Sequence, residues 1–186
     1  MQASAVSTPP KRFFRRFCRN SSGSAAVEFA LVATPFFALR FAIIESGIVF
    51  LAGQVMQNGV QDSGRLVYTN QMTGVNTTAT QFKTDLCARV AVLMNCTNLD
   101  IDIKYFPAGS TITLTDPIDG AGNYDPSGLG FTIPPANSTG TVVIRGFYRW
   151  PLIVTGLGYN IANIGRNTAN SKRLLVGLSA FHIEPS

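Results

Sequence analysis

Hydrophobic positions fall into three regimes along this chain. Residues 1–23 are polar and basic, contain Pro and Ser, and show no apolar periodicity. From Ser24 to about Ala52 nearly every position is apolar, in the run SAAVEFALVATPFFALRFAIIESGIVFLA. That length fits a membrane helix, which needs about 20 residues to cross the hydrocarbon. Val55, Met56, Val60 and Val67 keep roughly helical register, so the first helix is predicted to run on to about Tyr68. A second, amphipathic helix is predicted from about Thr78 to Met94. Its residues Phe82, Leu86, Val90 and Leu93 fall at i, i+4, i+8 and i+11 on one face. Thr77 or Thr78 can cap its start, and Asn95 fits a left-handed terminator.

The period then changes to two. Leu99, Ile101, Ile103 and Tyr105 alternate with Asp100, Asp102 and Lys104, the pattern of a half-buried strand. Ser110–Thr115 is predicted to continue the hairpin after a turn at Pro107–Gly109. Residues 116–140 are rich in Gly, Pro, Asn and Asp and read as an exposed loop. Strands return at Thr141–Trp150, closed by Pro151, and at Lys172–Ile183. The expected fold is α+β: a long N-terminal transmembrane helix, a second amphipathic helix and an antiparallel sheet of about four strands. The expected organisation is a basic leader (1–23), a membrane helix (24–52) and an extracytoplasmic domain (53–186), with no internal repeat.

Charge sharpens this division. The net charge is +5, yet Lys11, Arg12, Arg15, Arg16 and Arg19 supply all of it; from residue 24 onward ten Lys/Arg balance ten Asp/Glu. A basic cluster just before an apolar run holds that end in the cytoplasm, and it disfavours a nucleic-acid partner. Three charges intrude on the apolar run, at Glu28, Arg40 and Glu45, together with Pro35. Each charge costs about 2.5–3.5 kcal/mol at mid-membrane on insertion scales. A helix packed against other protein helices satisfies such groups, whereas a simple anchor would keep Glu28 at the headgroups. Signal-peptide cleavage after the run is disfavoured, because Arg40 or Phe50 would occupy the −3 position.

Chemistry is sparse. The single histidine, His182, lies on a strand pattern, and no metalloprotease, nucleophile-elbow, P-loop or dinucleotide motif occurs. Asp100 and Asp102 read as the solvated face of their strand. Asp116, Asp119 and Asp125 lack EF-hand spacing. No catalytic residue, metal, cofactor or small-molecule substrate is implied. Sequons stand at Asn76, Asn95 and Asn137. Cys18 lies in the leader, while Cys87 and Cys96 would reach an oxidising compartment. They form a candidate disulfide if the helix carrying Cys87 stops before Cys96 and turns back; two buried free thiols are the alternative.

One motif has mechanical content: Gly23-Ser24-Ala25-Ala26-Val27-Glu28-Phe29. A small, flexible Gly at the membrane face lets a protease take the local chain in extended form. Here the sequence resembles type IV prepilins, and more closely the TadE-like minor pilins or pseudopilins of the tight-adherence (Flp) pilus system. AVEFALVATPFF and IIESG carry the resemblance, followed by CARVAVLMNC, VVIRGFYRWPLI and RLLVGLSAFHIEPS. Arg40 departs from it, since the family usually has an apolar residue there.

The resemblance implies cleavage between Gly23 and Ser24 by a membrane-embedded prepilin peptidase. It makes Glu28 and Phe29 the assembly element. Glu28 is expected in the first helical turn, where the dipole favours an anion, pairing with the N-terminus of an adjoining subunit. Read from the residues themselves, Arg40 and Glu45 are candidates for a second intramembrane polar contact, within the chain or between subunits. The implied partners are the inner membrane, the peptidase, other pilins and pseudopilins, and the Tad assembly machinery. The implied location is the bacterial inner membrane, single-pass, with the N-terminus cytoplasmic and the C-terminal domain periplasmic, or a surface pilus. Two other classes compete: a single-pass anchored binding module that is never processed, and an anchored enzyme, which would need a pocket of convergent polar groups.

Overall fold

The computed structural model describes residues 23–69, 78–135, 137–153, 159–166 and 168–184. The leader before Gly23, Asn76 and the alternative cap Thr77 lie outside these residues. Helix α1, Ser24–Tyr68, runs without interruption through Pro35. The chain divides into two packing units, Met1–Phe41 and Ala42–Ser186.

In the first unit α1 is apolar on all sides, with Val27, Phe29, Leu31, Val32, Phe36, Phe37, Leu39 and Phe41 exposed. A helix apolar all round belongs in a membrane or inside a larger helical assembly. In the second unit α1 buries one stripe, Ala42, Glu45, Ala52, Met56, Gly59, Val60, Ser63, Gly64 and Val67. The recurring spacings of three, four and seven put these positions on one face.

Helix α2, Ala79–Val90, opens on a full capping box: the Thr78 hydroxyl accepts from Gln81 N–H, and the Gln81 side chain accepts from Thr78 N–H. Phe82, Leu86 and Val90 are its buried face. The helix stops short of Met94, and Asn95 is extended (φ −87°, ψ 121°) rather than left-handed. Asn95 N–H donates to the Tyr148 hydroxyl at 3.1 Å, and its side chain accepts from Thr97 N–H. These bonds replace a left-handed stop and lead the chain into a 3₁₀ turn at Cys96–Asn98.

The sheet holds β1 (Leu99–Pro107), β2 (Gly140–Pro151) and β3 (Lys172–Ile183), antiparallel in the order β1-β2-β3. The fold is α+β as expected, with three strands among the described residues. Ser110–Thr115 does not return along β1 as a strand. The free side of β1 is met instead by residues 130–132, where Ile103 N–H donates to Gly130 O and Thr132 N–H to Ile103 O.

Each sheet face has its own cover. Leu99, Ile103, Val142, Ile144, Tyr148 and Leu175 join α1 and α2 in the main core. Register partners Gly146 and Gly177 form a flat spot beneath α1. A Cβ on Gly177 would come within 2.8 Å of Met56 O, so only glycine admits the helix backbone this closely. The opposite face buries Phe147, Ile164 and Leu174, packed by Ile118, Tyr124 and Leu129. The segment expected as an exposed loop is therefore partly a lid on the second face, because that face carries side chains that must leave water.

Candidate functional site

Gly23 immediately precedes α1, and Ser24 is its first residue. Glu28 lies just beyond the first turn, which contains no acidic residue, rather than within it. Side chains four apart share a helix face, and the Ser24 hydroxyl accordingly donates to the Glu28 carboxylate at 3.1 Å. Both residues are exposed, as is Phe29. The segment thus presents one carboxylate near the start of a helix whose next charged residue is Arg40. A carboxylate so placed can hold a cationic group where water is scarce, since Coulomb attraction strengthens as the dielectric falls.

Arg40 is exposed in the first unit. Glu45 belongs to the second and is buried, accepting a hydrogen bond from the backbone N–H of Ile153. Beside it, the Ser46 hydroxyl donates to Ala42 O at 2.8 Å and lies 3.1 Å from the Tyr159 hydroxyl. A serine has one hydroxyl hydrogen, so Tyr159 is the donor in that second contact. Nothing in the sequence pattern links Glu45 to Ile153, 108 residues away.

Cys87 on α2 and Cys96 ahead of β1 are joined by a disulfide, with Cα atoms 5.7 Å apart. The early end of α2 at Val90 lets the chain double back this far. Tyr148 and Trp150 pack with ring centroids 6.1 Å apart, and the Tyr148 hydroxyl takes Asn95 N–H directly beside the disulfide.

The sequence reading placed Asp100 and Asp102 on a solvated face; the structure reverses this. Asp102 has 0% exposure. It accepts Arg145 Nε at 2.9 Å and Gly130 N–H at 2.8 Å, and Arg145 Nη1 reaches Thr115 O at 2.9 Å. Asp100 accepts the Tyr124 hydroxyl at 2.9 Å and faces Arg149 at 3.5 Å. Burial, followed by the Asp100 hydrogen bond, pushes the Tyr124 phenol well above its ordinary value. These pairs pin the 110–135 segment to the sheet. Alternation of polar and apolar residues cannot reveal them, because it reads the same whether the polar face meets water or a covering loop.

Asp119 and Asp125 are held below the usual carboxylate range by hydrogen bonds, chiefly from Asn123 and from Ser127 respectively. Their oxygens serve their own turns. Among the described residues no group of three or more His, Cys, Asp or Glu could hold a metal ion.

A family model described as TadE-like protein matches residues 23–71, which takes in Gly23 and the whole of α1. No curated protein and no solved structure matches the chain. The family model covers the helix bearing Glu28, while α2 and the sheet, with the CARVAVLMNC, VVIRGFYRWPLI and RLLVGLSAFHIEPS runs, lie beyond the matched residues. Residues 23–71 are thus similar to the TadE-like family, in agreement with the likeness carried by Gly23, Glu28 and the IIESG sequence.

Proposed function

We propose that the chain is a minor pilin or pseudopilin that takes part in assembling a tight-adherence (Flp) type IV pilus for surface adherence, and that it matures by cleavage after Gly23. One observation carries this reading. A glycine abuts the first residue of an exposed apolar helix, a carboxylate follows one turn later, and this whole helix is the TadE-like segment. Cleavage after Gly23 removes all five surplus positive charges and creates an α-ammonium on Ser24.

The 3.1 Å Ser24–Glu28 contact supports a carboxylate positioned over the first turn, open to the amine of a neighbouring subunit. Such a pair offsets the burial cost of each member. The described stretch from Ser24 to Phe41 rises about 27 Å at 1.5 Å per residue, close to the roughly 30 Å hydrocarbon thickness. The inner membrane thus stores the helix until other pilins, pseudopilins and the Tad machinery take it up. Prepilin peptidase is the processing partner, the leader is cytoplasmic and the folded domain is periplasmic.

N-terminal sequencing of the membrane-associated protein tests this. The expected result is a start at Ser24 that depends on the peptidase. An intact leader in peptidase-positive cells would overturn it in favour of an unprocessed, anchored binding module.

A further inference from the structure

The end of the folded unit that begins at Ala42 has a distinctive surface. On α1, Ile43, Ile44, Ile48, Phe50 and Leu51 are exposed even though Ala42, Glu45 and Ala52 are buried on the opposite side. Their span along the axis is about 12 Å. Beyond Leu51 the exposed positions of α1 are Gln54, Asn58, Gln61, Asp62, Arg65 and, at its end, Tyr68, all but the last polar or charged. A second segment reaches the same level. Ile153, 90% exposed, is tied by its N–H to Glu45, and Tyr159 is tied by its hydroxyl to Ser46.

Charge is sparse on both segments. Residues 150–165 contain no charged residue, and Glu45 is the single charge between Phe41 and Gln61. The fold turns that one carboxylate inward, onto the Ile153 amide. Arg173 lines a groove of about 650 Å³ together with Phe50 and Tyr159 and is exposed, while one of its nitrogens donates to Ile161 O at 3.1 Å.

We propose that this end of the domain is a lipid-docking surface. Ile43 to Leu51, Ile153 and Tyr159 sit at the boundary between headgroups and acyl chains, and Arg173 faces the anionic headgroups. The occupant follows from continuity of the chain: the apolar run that starts at Ser24 continues past Arg40 to Leu51 within the one helix α1. Interfacial elements bury their apolar faces about 5–10 Å into that boundary, a depth comparable to the patch. Tyrosine suits the same level, with an apolar ring and a polar tip. Cationic side chains near anionic leaflets are attracted to the surface. Glu45 and Ser46 act as positioning residues, because their bonds hold Ile153 and Tyr159 beside the helix.

This proposal rests on the membrane reading above, and the experiment separates the two. The full chain is reconstituted in phosphatidylethanolamine/phosphatidylglycerol vesicles carrying brominated acyl chains. Ile153→Trp, in a Trp150→Phe background, reports on the docking surface. Ala108→Trp in the same background is the control, because Ala108 follows Pro107, the register partner of Gly140 at the opposite end of β2 from Pro151. The expected result is blue-shifted emission and several-fold stronger bromolipid quenching for Ile153→Trp than for Ala108→Trp.

Equal quenching in a chain that floats with the vesicles overturns the docking surface and leaves the membrane anchor standing. Blue-shifted emission without quenching overturns it too, because a second copy of the chain then covers Ile153. Failure to float removes the anchor and the docking surface together.

Discussion

At the scale of single residues, buried charge explains most of what holds the second face of the sheet. Asp102 and Arg145 are both out of water and share their remaining capacity with Gly130 N–H and Thr115 O. Removing one member leaves an uncompensated buried charge, which costs about 3–5 kcal/mol. Asp102→Ala is therefore expected to lower unfolding free energy by that amount, followed in denaturant by Trp150 fluorescence. Lys104→Ala, whose ammonium lies 4.0 Å from Asp102, is expected to cost less than about 1 kcal/mol. Equal effects would mean that the pair does not pin the loop.

Tyr124 has a pH signature. Its folded pKa is raised, so its contribution is fully present below the ordinary phenol value near 10. That contribution is lost as pH rises through the higher folded value. Stability of the native chain is expected to fall on going above pH ~10, with a smaller alkaline loss in Tyr124→Phe. An unchanged alkaline slope in that variant would remove Tyr124 from the account. Neither network was legible in the alternation of β1, since that alternation records polarity and says nothing of what covers it.

At the scale of elements, local rules account for the starts better than the stops. A threonine cap, at Thr77 or Thr78, was legible because a side-chain oxygen just before an amphipathic run can take the first free N–H groups; the structure uses Thr78 and completes a capping box through Gln81. The end of α2 was not legible, because it depends on Tyr148, a residue 53 positions away that takes the Asn95 amide. The disulfide then fixes that reversal, closing a loop with a sequence separation of 9. Loops of this size contribute roughly 2–4 kcal/mol by restricting the unfolded chain. The double variant Cys87→Ala/Cys96→Ala is expected to show a correspondingly lower unfolding midpoint, and the native chain should fall to the same midpoint under reductant. A reductant-insensitive midpoint would contradict this. Ser110–Thr115 illustrates the converse. Its alternating pattern suits a strand, but the free side of β1 is already engaged by residues 130–132.

At the scale of the whole molecule, the two packing units set two different tasks. The described part of the first is apolar on every side and carries Glu28; the second buries a conventional core. If the first serves as an assembly helix, Glu28→Gln is expected to leave cleavage after Gly23 largely intact and to reduce incorporation into pili. Pulse-labelling for processing and quantification of sheared surface pili measure the two steps separately. Wild-type piliation in that variant would rule out the amine–carboxylate pairing.

What the sequence determined by itself was everything written in periodicity and local chemistry. That includes α1 to about Tyr68, a threonine cap at the start of α2 and the three paired strands. These depend on neighbours within a few residues, or on composition sustained over a membrane's thickness. Tertiary structure alone decided which polar groups left water. Asp102 met Arg145, Glu45 met the Ile153 amide, and the loop after β1 folded over the sheet instead of extending it. The physical reason is that burial belongs to three-dimensional neighbours: a carboxylate has the same place in the pattern whether solvent or a distant segment satisfies it.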